Sequence, residues 1–419
     1  MSEWLAKPLN DLASFQKGRK VETSEQPRDG FSPYLGASAI SGTIEEYADA
    51  RFGVTTAAGD VLMLWDGERS GLVGKTQDGV ISSTVARLSS RGEIEGTFLY
   101  YALDANFEWI QSRRTGTGVP HVPKDLGRIL SIFFPKDKTE QRRIAEILST
   151  VDETIEQTEA LIAKYQQIKA GLMHDLFTRG VTPDGRLRPT RAEAPHLYKD
   201  SPLGWIPKEW EVKRLGAILK QCGGYLQTGP FGSQLHAHEY QHEGVPVVMP
   251  QDINDGVIST DQIARIVERK AEELSRHRMR VGDIVIARRG ELSRAAAIVE
   301  SHEGWLCGTG CFLLRLGRSA LHSDFAVCVY RHDLIQRQIA GMAVGTTMPS
   351  LNNTVMERLF FPFCDPEEQS RIIERLNNLD QFLRYLQYQA LKLRQQKHGL
   401  MHDLLTGRVR VKVAETVSI

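Results

Sequence analysis

The hexapeptide GLMHDL occupies residues 171–176 and returns unchanged at 399–404. Six identical letters are a poor coincidence, and an internal duplication predicts that the match spreads outward at the same offset. It does. Glu140–Gln141 returns as Glu368–Gln369, Asp152 as Asp380, and Lys164, Gln167 and Lys169 as Lys392, Gln395 and Lys397. Segments 140–176 and 368–404 align without a gap at 16 identities in 37 positions. Loops tolerate insertions and helices do not, so a gapless repeat predicts one regular element. The first copy has no proline and is rich in Ala, Leu, Ile, Glu, Gln and Lys, which predicts a helix.

The apolar residues set the period. Ile372, Leu376, Leu379, Leu383, Leu386, Ala390, Leu393, Leu400 and Leu404 follow a 4,3 alternation with Lys397 in the one polar seat. Leu148, Ile155, Ile162, Leu172 and Leu176 fill the same seats in the first copy, with Lys169 in place of Lys397. A sustained seam with charge outside it predicts a coiled coil between the two copies, or an interface with a partner. The alternative is that each helix covers only its own domain. At ~1.5 Å per residue each helix would run roughly 55 Å.

About 140 to 160 residues precede each helix, a domain's worth of chain. The two blocks correspond loosely. "AGDVLMLWDGERS" (58–70) matches "VGDIVIARRGELS" (281–293), and "GTGVPHVPKDLGRILSIFFPKDKTEQ" (116–141) matches "GTTMPSLNNTVMERLFFPFCDPEEQ" (345–369). The offset is 206 at Trp4 and Trp210, 223 at the Gly–Asp pairs and 228 at the helices, so the second block has gained residues mainly before its Gly–Asp. Short β-branched runs such as VLMLW and DIVIA, with helical pieces at 97–112 and 324–341, predict mixed α/β domains of an α+β chain. The predicted division is a first domain at 1–139, a helix at 140–178 and an extended, Pro-rich connector at 179–205. A second domain at 206–367, a helix at 368–406 and a short β-prone tail at 407–419 complete it.

Composition narrows the classes. Lys plus Arg and Asp plus Glu both number 52, so the chain lacks a global basic signature, although basic residues cluster at 113–116 and 276–294. No apolar run approaches a membrane span and the start "MSEWLAKPLND" does not read as a signal peptide. Five cysteines, odd in number and all in the second half, predict reduced thiols and a cytoplasmic location.

Candidate catalytic motifs fail on spacing. "RSGLVGKT" (69–76) has Arg69 where a phosphate loop needs its first glycine. "PD" at 183–184 with "EVK" at 211–213 has the letters of a nuclease site, but its aspartate lies in the connector. Cys307 and Cys311 have no second ligand pair at fixed spacing. No Gly-rich loop for S-adenosylmethionine or a dinucleotide follows a strand. The chain reads as non-enzymatic, with no cofactor or metal of its own.

Two divergent blocks, each closed by "FFPKDKTEQRRIAEIL…GLMHDLFTRG" or "FFPFCDPEEQSRIIERL…GLMHDLLTGRV", resemble the specificity subunit of type I restriction-modification enzymes. The motif "LGWIPKEWEVKRLG" opens the second block in the same style, and the first block has no such lead. The resemblance implies two target recognition domains, each reading one half of a split, asymmetric sequence in double-stranded DNA. It also implies paired antiparallel helices with pseudo-two-fold symmetry that set the gap and dock two adenine methyltransferase (modification) subunits. S-adenosylmethionine would belong to those partners, and ATP and Mg2+ to separate restriction subunits. The expected DNA contacts are Arg113, Arg114, Thr115 and Thr117 in the first domain, and Arg288, Arg289, Thr346 and Thr347 in the second. Arg69 and Arg294, one on each Gly–Glu loop, join them. The competing reading is a non-enzymatic scaffold whose domains bind protein, joined by a coiled-coil spacer.

Overall fold

The structure, a computed structural model, describes residues 3–116, 118–342 and 350–412. The chain divides into two compact units, Met1–Ile162 with Leu386–Ile419 and Ala163–Tyr385. Each repeat segment is a helix, Lys138–Thr178 and Pro366–Leu405, so each long helix gives one part to either unit.

In chain order the first unit holds β1 (Trp4–Pro8), β2 (Ala13–Lys17), β3 (Phe31–Leu35), β4 (Val61–Leu64), β5 (Val73–Lys75), β6 (Val80–Ile81) and β7 (Val85–Ser90). Helices α1 (Gly96–Ala105) and α2 (Phe107–Gln111) and strand β8 (Ser131–Pro135) follow. Strands β2, β7, β4 and β5 form a four-stranded antiparallel sheet in that spatial order, β1 pairs with β8, and β3 runs parallel to β6. Val61 and Met63 point into a core with Leu88, with Phe98 and Leu99 of α1, and with Ile144, Leu148, Leu404 and Leu405 of the long helices. Glu95 starts α1 by accepting the Phe98 amide at 2.9 Å.

The second unit repeats the plan with β9 (Glu211–Arg214), β10 (Tyr225–Thr228), β11 (Val245–Val248), β12 (Ile284–Ala287), β13 (Ala295–Ala297), β14 (Leu306–Cys307) and β15 (Cys311–Arg315). Helices α3 (Ser323–Arg331) and α4 (Asp333–Met342) and strand β16 (Phe360–Phe363) follow. The sheet order is β10, β15, β12, β13, β9 pairs with β16, and β11 runs parallel to β14. These strands repeat the pairing of their counterparts in the first unit, while the smaller sheets around them differ.

The same turn opens the central strand in both. Gly59 and Gly282 adopt φ of 83° and 86°, which admits the tight reversal. The following aspartate is buried and closes the turn, Asp60 Oδ2 accepting the Ala57 amide and Asp283 Oδ2 the Arg280 amide, each at 2.7 Å. An arginine from the neighbouring strand compensates the charge: Arg87 lies 3.5 Å from Asp60, and Arg315 Nε donates to Asp283 at 2.7 Å.

Each long helix starts with a buried Glu–Gln pair. Gln141 Nε2 donates to the carbonyls of Glu93 and Pro135, and its Oε1 accepts the Glu95 amide. Gln369 does the same with Ala320, Cys364 and His322. One amide thereby ties strand end, loop and helix start together. In the second unit Glu368 accepts from Arg188, from Trp210 Nε1 at 3.0 Å and from the Val181 amide at 2.7 Å. In the first unit Arg410 reaches Glu140 at 2.9 Å and its guanidinium lies 5.3 Å from the Trp4 ring centre.

Two expectations are corrected here. The connector is not extended: Val181 bridges Leu187, Tyr198–Lys199 pairs with Ile206–Pro207, and Arg188 is buried against Glu368. An unpaired buried carboxylate is costly, and Arg188 draws the segment in to compensate it. Of the tail, 407–412 forms no strand, with Arg410 reaching Glu140, and 413–419 lies outside the described residues.

The lysines of the apolar seam also have acidic partners. Lys397 Nζ lies 2.7 Å from Asp152 in the first unit, and Lys169 Nζ lies 2.6 Å from Asp380 in the second. Lysine and aspartate are repeat equivalents, so one contact occurs twice with the copies exchanged. Glu159 with Arg394, and the Tyr165 and Phe382 rings 4.8 Å apart, add further interhelical contacts inside the first and second units respectively. Leu148, Leu176, Leu376 and Leu404 are almost fully buried, Ile155 and Leu383 nearly so, and Ile162, Leu172, Leu393 and Leu400 are half-buried. Among the described residues no helix is long and apolar enough to cross a membrane.

Candidate nucleic-acid interface

Beyond its last residue, β4 runs into a loop that a second segment crosses. The Val122 amide donates to Trp65 O at 2.9 Å, the Gly67 amide to Pro120 O at 2.8 Å, and Asp66 bridges His121. The second unit builds the same crossing: the Leu351 amide donates to Arg288 O at 3.0 Å, and Arg289 bridges Ser350. Gly67 and Gly290, at φ 111° and 76°, allow the turn in each loop. Backbone bonds therefore fix two equivalent platforms.

Their side chains differ sharply. Trp65–Asp66 stand where the second unit has Arg288–Arg289. Asp66 is held by Lys17 Nζ at 2.6 Å and His121 Nδ1 at 2.7 Å, and Trp65 meets Phe15 edge-on with ring centres 6.0 Å apart. Phe15, Lys17, Trp65 and Lys124 line a concavity of about 350 Å³ beside the loop. The first platform is aromatic with its charges paired, and the second turns Arg288 onto its own backbone and presents Arg289.

The expected DNA-contact residues fall into three groups. Arg69, Arg113, Thr115 and Arg289 are exposed. Arg113 lies over Trp109, 3.8 Å from its ring centre, and its Nη1 donates to Trp109 O at 3.2 Å and Ser112 Oγ at 3.0 Å. Arg114, Arg288 and Arg294 are bound internally. Arg114 donates to Gln111 O and Glu68 O, tying its segment to the Gly–Glu loop, and Arg288 Nε donates to Leu351 O at 3.0 Å. Arg294 pairs with Glu291 at 2.8 Å, and its Nη1 lies near the carbonyls of Pro250, Gln251 and Ile253. Thr117, Thr346 and Thr347 lie outside the described residues.

Trp65, Asp66, Lys17 and His121 stand at the platform without belonging to the basic clusters or hydroxyl positions that the sequence singles out. The signal existed, because aligning the Gly–Asp motifs sets Trp65–Asp66 opposite Arg288–Arg289. Among the described residues no three His, Cys, Asp or Glu side chains gather to hold a metal. Burial pushes the Cys307 and Cys311 thiols up, away from the reactive thiolate. Lys75, of the near-miss phosphate loop, instead lies 3.3 Å from Asp152.

The chain matches the family model described as the type I restriction modification DNA specificity domain at residues 1–167 and again at 207–392. It is 25% identical over 98% of its length to the type I restriction enzyme MjaVIII specificity subunit of Methanocaldococcus jannaschii, covering 94% of that protein. Against the EcoBI specificity subunit of Escherichia coli it is 20% identical, covering 97% of this chain and 85% of that one. The crystal structure of the type I restriction-modification S subunit from M. genitalium has the same fold, with a TM-score of 0.62 at 19% identity, covering 99% of this chain and 97% of that one. Two matches of one domain model, one on each unit's sheet and crossing loops, make this chain a member of the type I restriction-modification specificity subunits, with two target recognition domains.

Proposed function

We propose that the chain is the non-catalytic DNA-reading subunit of a type I complex, taking one half of a bipartite, asymmetric duplex target on each domain. The reading blocks are 1–139 and 206–367, and the two long helices pair as an antiparallel coiled coil that sets the gap between the halves. The observation that carries this reading is the pair of crossing loops. One backbone frame bears Trp65–Asp66 on the first domain and Arg288–Arg289 on the second. Base edges are distinguished by donor and acceptor pattern, so equal frames with unlike side chains suit two different half-sites. The reciprocal Lys169–Asp380 and Lys397–Asp152 contacts support the antiparallel pairing. A frame that offers the same surface twice suits two identical modification subunits. Those subunits would carry S-adenosylmethionine, and restriction subunits ATP and Mg2+.

The test is methylome sequencing of a host in which the first block is exchanged for that of a related subunit. The expected result is a bipartite adenine-methylated motif changed in one half only. A motif changed in both halves, or no motif dependent on this chain, overturns the reading.

A further inference from the structure

At the Gly–Asp end of β12, opposite the crossing loop, the second domain carries a concavity of about 400 Å³. Tyr225, Arg276, Arg278, Arg280, Glu303 and Arg315 line it. Two of its four arginines have structural duties. Arg315 holds the buried Asp283 and lies 5.2 Å from the Tyr225 ring centre. Arg278 donates to Gly304 O at 3.0 Å and pairs with Glu268. The remaining two, Arg276 and Arg280, are exposed, and among the described residues their guanidinium groups have no ion-pair or hydrogen-bond partner. Glu303, the one carboxylate on the lining, accepts the Val281 amide at 2.5 Å. The cleft thus presents two uncompensated guanidinium groups against an aromatic wall.

The first domain shows which parts the fold requires. Arg87, equivalent to Arg315, still faces the Gly–Asp carboxylate, but at the aligned positions Gly53, Thr55 and Ala57 replace Arg276, Arg278 and Arg280. Gln16 takes the strand position of Tyr225. The shared sheet forms without these three arginines, so Arg276 and Arg280, whose guanidinium groups have no partner among the described residues, answer to something other than folding.

We propose that Arg276 and Arg280 bind backbone phosphates of the duplex beside the second half-site, a contact with no counterpart on the first domain. The assignment rests on the DNA-reading function above. Guanidinium groups match phosphate oxygens bidentately, and such contacts position a protein on DNA without reading sequence. The four residues of β12 span ~13 Å between the cleft and Arg288–Arg289, close to the ~12 Å width of a major groove. One strand can therefore reach from a groove's base edges to the phosphates bordering it.

The test uses the full chain co-purified with its modification subunits and a labelled duplex of random sequence, titrated by fluorescence anisotropy between about 50 and 200 mM salt. Arg276→Gln/Arg280→Gln is compared with Arg269→Gln/Arg337→Gln, which removes the same charge from exposed residues of the same domain outside the cleft. Losing two phosphate contacts should flatten the slope of log K against log salt by ~1.8, and weaken binding at least tenfold at the low-salt end. The control should stay within about twofold, Arg276→Lys/Arg280→Lys should fall between, and the methylated motif should not change. An unaltered slope in the cleft variant, or an equal loss in the control, overturns the cleft while the parent's binding stands. A parent complex that binds no duplex removes the DNA-reading function itself.

Discussion

In the first domain the strand Val61–Leu64 runs out into Trp65–Asp66, and in the second Ile284–Ala287 runs out into Arg288–Arg289. Beneath those loops three supports are matching residues: Asp60 and Asp283 in the turn, Arg87 and Arg315 across the sheet, Gln141 and Gln369 under the helix start. Those three bonds are duplicated while the loop-top side chains are not. A buried polar group leaves few alternatives, because an orphaned partner costs ~1–3 kcal/mol, whereas a loop-top side chain faces water in either chemistry. The difference separates what builds a recognition domain from what gives it a text to read.

That separation can be broken, and the largest lever lies under the helices. Glu368→Ala strands the buried Arg188 guanidinium and should cost ~3–5 kcal/mol, shifting the urea midpoint of the second unit. Glu140→Ala should cost the first unit less, since the Arg410 side chain is 31% exposed against 10% for Arg188. Equal losses would mean that burial does not decide the strength of these two pairs. Next come Gln141→Ala and Gln369→Ala, each orphaning two carbonyls and an amide. Each should cost ~2–3 kcal/mol, and the two should agree within about 0.5 kcal/mol. A wide disagreement would undo the claim that the two starts are equivalent.

Smaller effects address the loops and the seam. Arg289→Ala should weaken duplex binding by ~1–2 kcal/mol and relax only the second half of the motif, as methylome sequencing would show. Relaxation of the first half would sever the link between loop and half-site.

The smallest effect is pH-dependent. Burial raises the Asp152 carboxyl, but hydrogen bonds from Lys397 and Tyr101, with Lys75 nearby, outweigh it and hold the group below its usual 3.8. The stabilisation is therefore complete above the ordinary carboxylate value and lost as pH falls through the depressed one. Asp104, raised by burial despite Lys397, acts oppositely, taking stability away as it ionises with rising pH. Lys397→Met should blunt the acid loss at Asp152, on the order of 1 kcal/mol or less, readable in unfolding midpoints between about pH 5 and 3. An acid response identical to the parent's would place the sensitivity elsewhere.

The long helices were legible because a repeat at fixed offset is a geometric statement. The helix expected at 140–178 spans Lys138–Thr178, and the one at 368–406 spans Pro366–Leu405. The strands VLMLW and DIVIA were legible for another reason, as apolar runs after a turn signal. The connector was not. Its proline content suggested an extended chain, and only the three-dimensional position of Glu368 explains why Arg188 folds it inward. Partner choice hid the arginines as well: Arg114, Arg288 and Arg294 look like Arg289 in sequence, yet three bond to their own domain and the fourth faces solvent. Arg276 and Arg280 lie in the basic run at 276–294, and only the cleft around them sets them apart from its other arginines.

The first unit is assembled from two stretches separated by the whole of the second, with Arg410 beside Trp4. On the ribosome, the domain whose synthesis begins first is therefore the one completed last. The second unit can close on itself while the first still lacks Leu404 and Leu405 of its core. At ~5–20 residues per second, the interval between Ile162 and Leu386 lasts on the order of 10–40 s, during which the first domain's apolar floor stays uncovered. A circular permutant that joins the neighbourhood of Arg410 to that of Trp4 would make the unit contiguous and abolish the wait.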